Sequence, residues 1–245
     1  MKNYLIRSLY KIKSPMWFED RSSEGDLYDW YMKMHDISLR TFEKHLQGDW
    51  EFVFFNKEVE NIQEVFKDHF FEIYDIWKQG DCNILYCGPD NVMMKPTEFF
   101  GKYDDFRMFN YTDPKQSTEP NHYNIQHEHF FNADVRYYPS TMSQDIWDMG
   151  LEMAENWDFN SWNTEQFILN KMLWDQEGRT IENTLDPTVA YQGHQLFISD
   201  WEQRKAYSND WNNCNLKDAH IVHLHGSRNA PQKHALMEQL EKLVE

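Results

Sequence analysis

Apolar positions recur along this chain with two different periods, and the alternation between them lays out its elements. Residues 4–10, apolar at Tyr4, Leu5 and Ile6 and again at Leu9 and Tyr10, predict a first strand, followed by a polar loop over 14–25 that carries Trp17 and Phe18. From Asp26 to Leu46, the residues Leu27, Trp30, Tyr31, Met34, Ile37, Leu39 and Phe42 fall at largely helical spacing, and Gly48 stops the run. A second strand is predicted over 50–55. Asn61 can cap a helix whose apolar face includes Val65, Phe66, Phe70, Ile73 and Trp77, ending near Gly80, and residues 83–87 form a short apolar strand. Strand, helix, strand, helix, strand predicts a parallel sheet with right-handed crossovers. Strands are then predicted over 107–111 and 130–138 with a polar loop, 114–121, between them, and helices over 145–157 and 164–174. Shorter strand signals follow at 189–191, 195–198 and 219–224, before a C-terminal helix over 233–243.

The chain shows no internal repeat and no low-complexity linker, and its 245 residues suit one large α/β domain with a substantial core. Hydrophobic residues make up 40% and aromatics 16%, too much apolar material for a disordered chain despite a mean hydropathy of -0.83. The aromatic rings suit either a core or a surface on which sugar faces stack. With 24 Lys and Arg against 41 Asp and Glu, the net charge of -17 opposes binding of a polyanion, so nucleic acid is not an expected partner. A diphosphate can still bind where a metal ion or local cations neutralise it. Cys82, Cys87 and Cys214 lack zinc-ligand spacing and read as reduced thiols. Arg7, Lys11 and Lys13 interrupt the N-terminal apolar stretch, which reads as neither signal peptide nor membrane span. The expectation is a soluble, cytoplasmic protein.

Three segments carry candidate chemistry. In the first, residues 83–96, the apolar strand enters the tight turn Gly88-Pro89-Asp90, and a second apolar run ends at Lys95-Pro96. Ligands of open α/β sheets sit at such carboxyl ends of central strands. The second is Phe131-Asn132-Ala133-Asp134-Val135, followed by Trp162-Asn163-Thr164-Glu165-Gln166 and Leu169-Asn170; the third runs from His220 through His223, His225, Gly226 and Arg228 to Asn229. In this order and at these separations they resemble the GT-A glycosyltransferases of the glycogenin and lipopolysaccharide-galactosyltransferase kind, over residues 83–233.

The resemblance implies a single-domain α/β fold with a Rossmann-type mixed sheet flanked by helices, its nucleotide-binding half within about residues 1–112 and its acceptor side within 113–245. It implies transfer of a hexose from a nucleotide diphosphate sugar, a UDP-sugar by analogy, to a glycan or another hydroxyl acceptor. Asp90 matches the second carboxylate of the family's metal-binding Asp-x-Asp, while Gly88 stands where the first would be. His223, three residues before Gly226, matches a histidine that supplies another metal ligand, and Arg228 or Lys233 stands near positions that meet the diphosphate. Asp134 replaces the family's usual glycine, and Glu165-Gln166 replaces its Asp-Gln, residues that lie beside the transferred sugar. The family's Lys-Pro-Trp ending is absent.

The chemistry accounts for these residue types. A departing nucleoside diphosphate gains negative charge, which Mg²⁺ or Mn²⁺ across its phosphates stabilises as a Lewis acid. One or two carboxylates suffice to hold Mg²⁺, and a histidine ligand tilts the choice towards Mn²⁺. Gly88 therefore leaves two options: a metal bound mainly with the donor, or a metal-free site in which Arg228, Lys233 and backbone donors carry the charge.

Each residue also fits a plainer role. Asp90 suits a turn that Pro89 invites. His223 and His225 share a strand face with Ile221 and suit a core, and Glu165 suits a helix N-terminus capped by Asn163 or Thr164. Asp134 would be costly if buried alone, so it is exposed or faces a polar cleft. Two rival functions remain. His127-Glu128-His129 with Asp134 resembles half of a cupin metal site, but the predicted helices do not suit a jelly roll. A catalytically inactive nucleotide-sugar or glycan-binding protein of the same fold would explain Gly88 directly.

Overall fold

The structure is a computed structural model that describes residues 1–13, 27–110, 131–156, 164–174, 190–192, 219–224 and 230–244. In chain order its elements begin with β1 (Lys2–Ser8), β2 (Lys11–Ile12), α1 (Leu27–His45), β3 (Leu46–Gln47), β4 (Glu51–Phe55), β5 (Glu58–Val59) and α2 (Ile62–Trp77). Then come β6 (Cys82–Cys87), β7 (Asn91–Met93), β8 (Thr97–Glu98), β9 (Arg107–Asn110), β10 (Phe131–Tyr138), α3 (Gln144–Asn156) and α4 (Thr164–Trp174). The last are β11 (Ala190–Gln192), β12 (Ile221–His223) and α5 (Ala230–Val244).

The main sheet has the order β4-β1-β6-β10-β9. β1 pairs in parallel with both β4 and β6, as the strand–helix–strand pattern predicts, while β10 runs antiparallel between β6 and β9, so the sheet is mixed. Every residue of β6 is buried, as befits a strand covered on both faces. Ile84 and Tyr86 pack with Phe66, Phe70 and Trp147 beneath α2 and α3, whereas Leu85 and Cys87 join Phe42 of α1, Phe99 and Tyr137 on the other face. A smaller sheet, β11-β12-β7, leans on α1 and α5 through Met34, Val92, Val222, Met237 and Leu240.

Local signals explain most boundaries. The Asn61 side chain accepts from the Glu64 backbone N–H at 3.1 Å and caps α2, and the Glu60 N–H in turn donates to the Glu64 carboxylate at 2.9 Å. α5 begins three residues before the expected start, with Pro231 in its first turn, where a missing N–H costs nothing. β2, β3, β5 and β8 are two residues each, too short to leave a periodicity. The rings of Trp77, Tyr74, Tyr138 and Trp147 form one packed group, with Tyr138 stacked on Trp147 at 5.1 Å, so much of the aromatic content is core. The expected loops at 14–25 and 114–121, the expected strand at 195–198, Cys214 and the histidines at 127 and 129 lie outside the described residues. Cys82 and Cys87 are buried free thiols, and burial pushes the Cys87 thiol up to about 12. Among the described residues no helix is long and apolar enough to cross a membrane.

Candidate active site

Two strand registers assemble the site. β12 pairs antiparallel with β7 so that His223 lies opposite Asn91, one residue beyond Asp90, and the Leu224 N–H donates to the Asp90 carbonyl at 3.1 Å. β10 pairs with β6 so that Val135 lies opposite Cys87, and the ladder continues one step further: the Gly88 N–H donates to the Asp134 carbonyl at 2.9 Å. Against β9 the register of β10 shifts between Asn132 and Arg136, a bulge of the kind that re-aims side chains beside active sites. The turn after β6 is braced by the Asn91 side-chain amide donating to the Gly88 carbonyl at 3.0 Å, and by Ser38 of α1 donating to the Asn91 carbonyl.

Asp90, Asp134 and His223 converge, with one ligand atom from each lying within 4.8 Å of the others. His223 Nε2 lies 2.9 Å from Asp134 Oδ2 and 3.7 Å from Asp90 Oδ2. The Lys233 ammonium, from the first turn of α5, donates to Asp90 Oδ2 at 2.7 Å and to the Tyr31 hydroxyl at 3.4 Å. Asp90, His223 and Lys233 are buried, whereas the Asp134 side chain is 39% exposed and opens the cluster to solvent. Burial opposes ionisation of Asp90, but Lys233 and His223 outweigh it and hold its carboxyl well below the usual carboxylate range. Burial likewise pulls His223 down, and the Asp134 and Asp90 carboxylates outweigh it, raising the imidazole to about 9. With both cations protonated the cluster is self-neutralised: two carboxylates face an ammonium and an imidazolium.

The donor set suits a divalent cation. Oδ1 of Asp134 and Oδ1 of Asp90 lie 3.0 and 3.2 Å from the point that a Cβ on Gly88 would occupy, so the absent side chain leaves a cradle lined by two carboxylate oxygens. Carboxylate oxygens with one imidazole nitrogen suit Mn²⁺ better than Mg²⁺, provided the imidazole gives up its proton.

A second charged group gathers further along β10, around Arg136. Glu165, in the first turn of α4, meets Arg136 Nη1 at 2.8 Å and His69 Nδ1 at 2.9 Å, and the Arg136 guanidinium lies 4.0 Å above the Tyr86 ring. Burial raises the Glu165 carboxyl, but Arg136 and His69 outweigh it and lower it to about 2. Its neighbour Gln166 accepts from the Ala133 backbone N–H at 3.3 Å, beside Asp134. Arg136 and His69 were not among the sequence candidates. Arg136 stands two residues beyond Asp134 in a strand, a spacing that signals one face, but His69 sits on the apolar side of α2 with no local cue. Arg7 is a further buried charge, under α1: it donates to the His35 carbonyl at 3.2 Å, and burial lowers it to about 10.

Of the residues singled out in the sequence, Asp90, Asp134, His223 and Lys233 are brought together, with Gln166 adjoining through Ala133. Glu165 turns instead to Arg136 and His69. Gly226 and Arg228 lie outside the described residues.

No protein-family model matches the sequence, and no curated protein matches it. Solved structures do resemble it. The glycosyltransferase involved in glycosylation of the major capsid of PBCV-1 aligns over 98% of this chain and 100% of its own, with a TM-score of 0.52 at 14% identity. Apo GlyE, a glycosyltransferase of Streptococcus pneumoniae TIGR4, aligns over 98% of this chain and 60% of its own, with a TM-score of 0.51 at 14% identity. The fold is therefore that of the GT-A glycosyltransferases, mixed sheet and flanking helices included.

Proposed function

We propose that this protein is a glycosyltransferase that moves a hexose from a nucleotide diphosphate sugar, a UDP-sugar by preference, to a hydroxyl of a glycan or another acceptor. The observation that carries the reading is the convergence of Asp90, Asp134 and His223 at the carboxyl end of β6, within a fold shared with glycosyltransferases. Fold alone does not assign a reaction; a ligand-competent cluster at that strand end adds the chemistry.

Asp90 and His223 would hold Mn²⁺ or Mg²⁺, with Asp134 in reach as a further ligand. Bound there, the ion would supply Lewis acidity to the two phosphates of the donor. The protein's own cations do the rest of the neutralisation: Lys233 from α5, and Arg228 by its place in the motif, offset the charge of the departing diphosphate, with Gly226 allowing the backbone close to it. Asp134, Glu165 and Gln166 orient the transferred sugar, Glu165 held rigidly by Arg136 and His69. One domain would do this work, its nucleotide-binding half within about residues 1–112 and its acceptor side within about 113–245, with Asp134, Glu165, Gln166, Gly226, Arg228 and Lys233 reaching from the second half to the donor's sugar and diphosphate.

The test is a thermal-shift titration with UDP, GDP and several UDP-sugars, each in Mn²⁺ and in EDTA, followed by product analysis for donor hydrolysis or transfer. A ligand specific to the native state stabilises it by about 2.7 kcal/mol at a hundred times its dissociation constant, a readily measured change. The expected result is a metal-dependent rise with one nucleotide and turnover of its sugar. Binding without turnover would favour a nucleotide-sugar-binding protein, and no rise with any nucleotide would overturn the reading.

A further inference from the structure

We infer that Gly88 and Asp134 are a coupled pair, in which the carboxylate completing the metal site enters from β10 and Gly88 is the gap that receives it. The inference rests on the metal-assisted reading above and adds a determinant to it: which strand supplies the second carboxylate.

Three observations on this chain support it. First, Gly88 is not required by its backbone. The glycines with positive φ among the described residues are Gly48, Gly80 and Gly101, and Gly88 is not among them, so an L side chain is conformationally allowed there. Second, what opposes a side chain there is space that other side chains use, which they would have to yield by a few tenths of an ångström. A Cβ at position 88 would meet Asp134 Oδ1 at 3.0 Å, Asp90 Oδ1 at 3.2 Å and the Asn91 amide nitrogen at 3.3 Å. The amide is tied to the Gly88 carbonyl and the two carboxylates are tied to His223 and Lys233, so none of the three can move away without loss. Third, the register makes the pairing obligatory. Val135 opposite Cys87 and the bond from the Gly88 N–H to the Asp134 carbonyl fix positions 88 and 134 as cross-strand neighbours.

A carboxylate hung from position 88 would therefore enter the same volume as the one hung from 134. Both together would crowd three carboxylates around one gap, and neither would leave Asp90 alone with His223. The chain solves this with glycine on β6's turn and aspartate on β10; the exchanged arrangement would keep the same atoms and the same charge on opposite strands.

The experiment uses the full chain with Gly88→Asp, Asp134→Gly, the double exchange, and Asp134→Asn as a near-isosteric control. Thermal stability in EDTA and Mn²⁺ affinity, read by the electron paramagnetic resonance of free Mn²⁺, are measured for each. Gly88→Asp is expected to lower the melting temperature in EDTA far more when Asp134 is present than in the Asp134→Gly background, a non-additivity that reports shared volume. Asp134→Gly and Asp134→Asn are expected to weaken Mn²⁺ binding by about a hundredfold, and the exchange to restore it to within about tenfold of the parent. Should Gly88→Asp alone fail to fold, the exchange and Asp134→Asn still decide the matter. Additive effects in EDTA, or parental Mn²⁺ affinity in Asp134→Asn, would overturn the pairing while leaving a metal site on Asp90 and His223. No Mn²⁺ binding by the parent chain would instead remove the metal-assisted reading, and the ligand role of Asp134 with it.

Discussion

Asp90 faces two competitors for one carboxylate: the Lys233 ammonium that now holds Oδ2, and any metal that would use the same group. Removing one member of a buried ion pair leaves the other charged and desolvated, which costs about 3–5 kcal/mol. Lys233→Met keeps the bulk of the side chain and removes its charge, so in EDTA the variant should lose stability in that range in urea titrations. Because Mn²⁺ would then supply the missing positive charge, it should stabilise the variant more than the parent. An equal effect of Mn²⁺ on both would show that lysine and metal do not share Asp90. The candidate ligands could be named from the sequence because aspartate at a strand-end turn and histidine near a C-terminal glycine are local patterns. That Asp134 belongs with them, facing Gly88, depends on the β6–β10 register, which no local pattern encodes. Nor does the sequence reveal that Glu165 is already engaged, since its partners Arg136 and His69 lie on two other elements.

At the scale of elements, α4 is placed by both chemistry and packing. Phe167, Ile168, Leu169, Met172 and Leu173 are buried, so this helix is apolar on most of its circumference, and at its first turn Glu165 bonds α2 and β10 together. The expected helix over 164–174 coincides with the observed one because its two apolar clusters, 167–169 and 172–174, fall one helical turn apart, but the direction its acidic first turn faces is set by tertiary contacts. A carboxyl lowered from 4.5 to about 2 contributes stability that is complete above the unfolded value and is lost as the pH falls towards the folded one. The difference corresponds to about 3 kcal/mol at roughly 1.4 kcal/mol per unit. Glu165→Gln should therefore be clearly less stable than the parent near neutral pH, and the gap between them should close between about pH 4.5 and about pH 2. Melting curves across that range check it; a gap that stays constant to the acid end would mean that Arg136 and His69 do not depend on the ionised carboxylate. The same docking sets Gln166 against Ala133, so loss of Glu165 should also loosen the strand that carries Asp134.

On the scale of the whole molecule, the alternating periods were enough to anticipate the order of strands and helices and the parallel core of the sheet, because each long element carries its own apolar repeat. They could not reveal that β7 leaves the main sheet to join β11 and β12, since a three-residue strand has no period and its partner lies more than a hundred residues away. The charge balance is a property of the same scale. A net charge of -17 spread over one folded chain repels itself, and that repulsion acts over a Debye length of about 30 Å at 10 mM salt but only about 8 Å at 150 mM. Exposed ion pairs such as Lys13 with Glu58 and Glu60 are weakened by the same screening, but each is worth little. The buried pairs, Asp90 with Lys233 and Glu165 with Arg136, are shielded from it by the core around them. Repulsion should therefore dominate the response, and the melting temperature of the metal-free protein should rise as potassium chloride increases from about 10 to about 150 mM. A fall over that range would mean that surface pairs outweigh the net field. The same field opposes an approaching diphosphate, which is why the cations that would receive it, Lys233 among them, have to lie inside the site rather than on the surface around it.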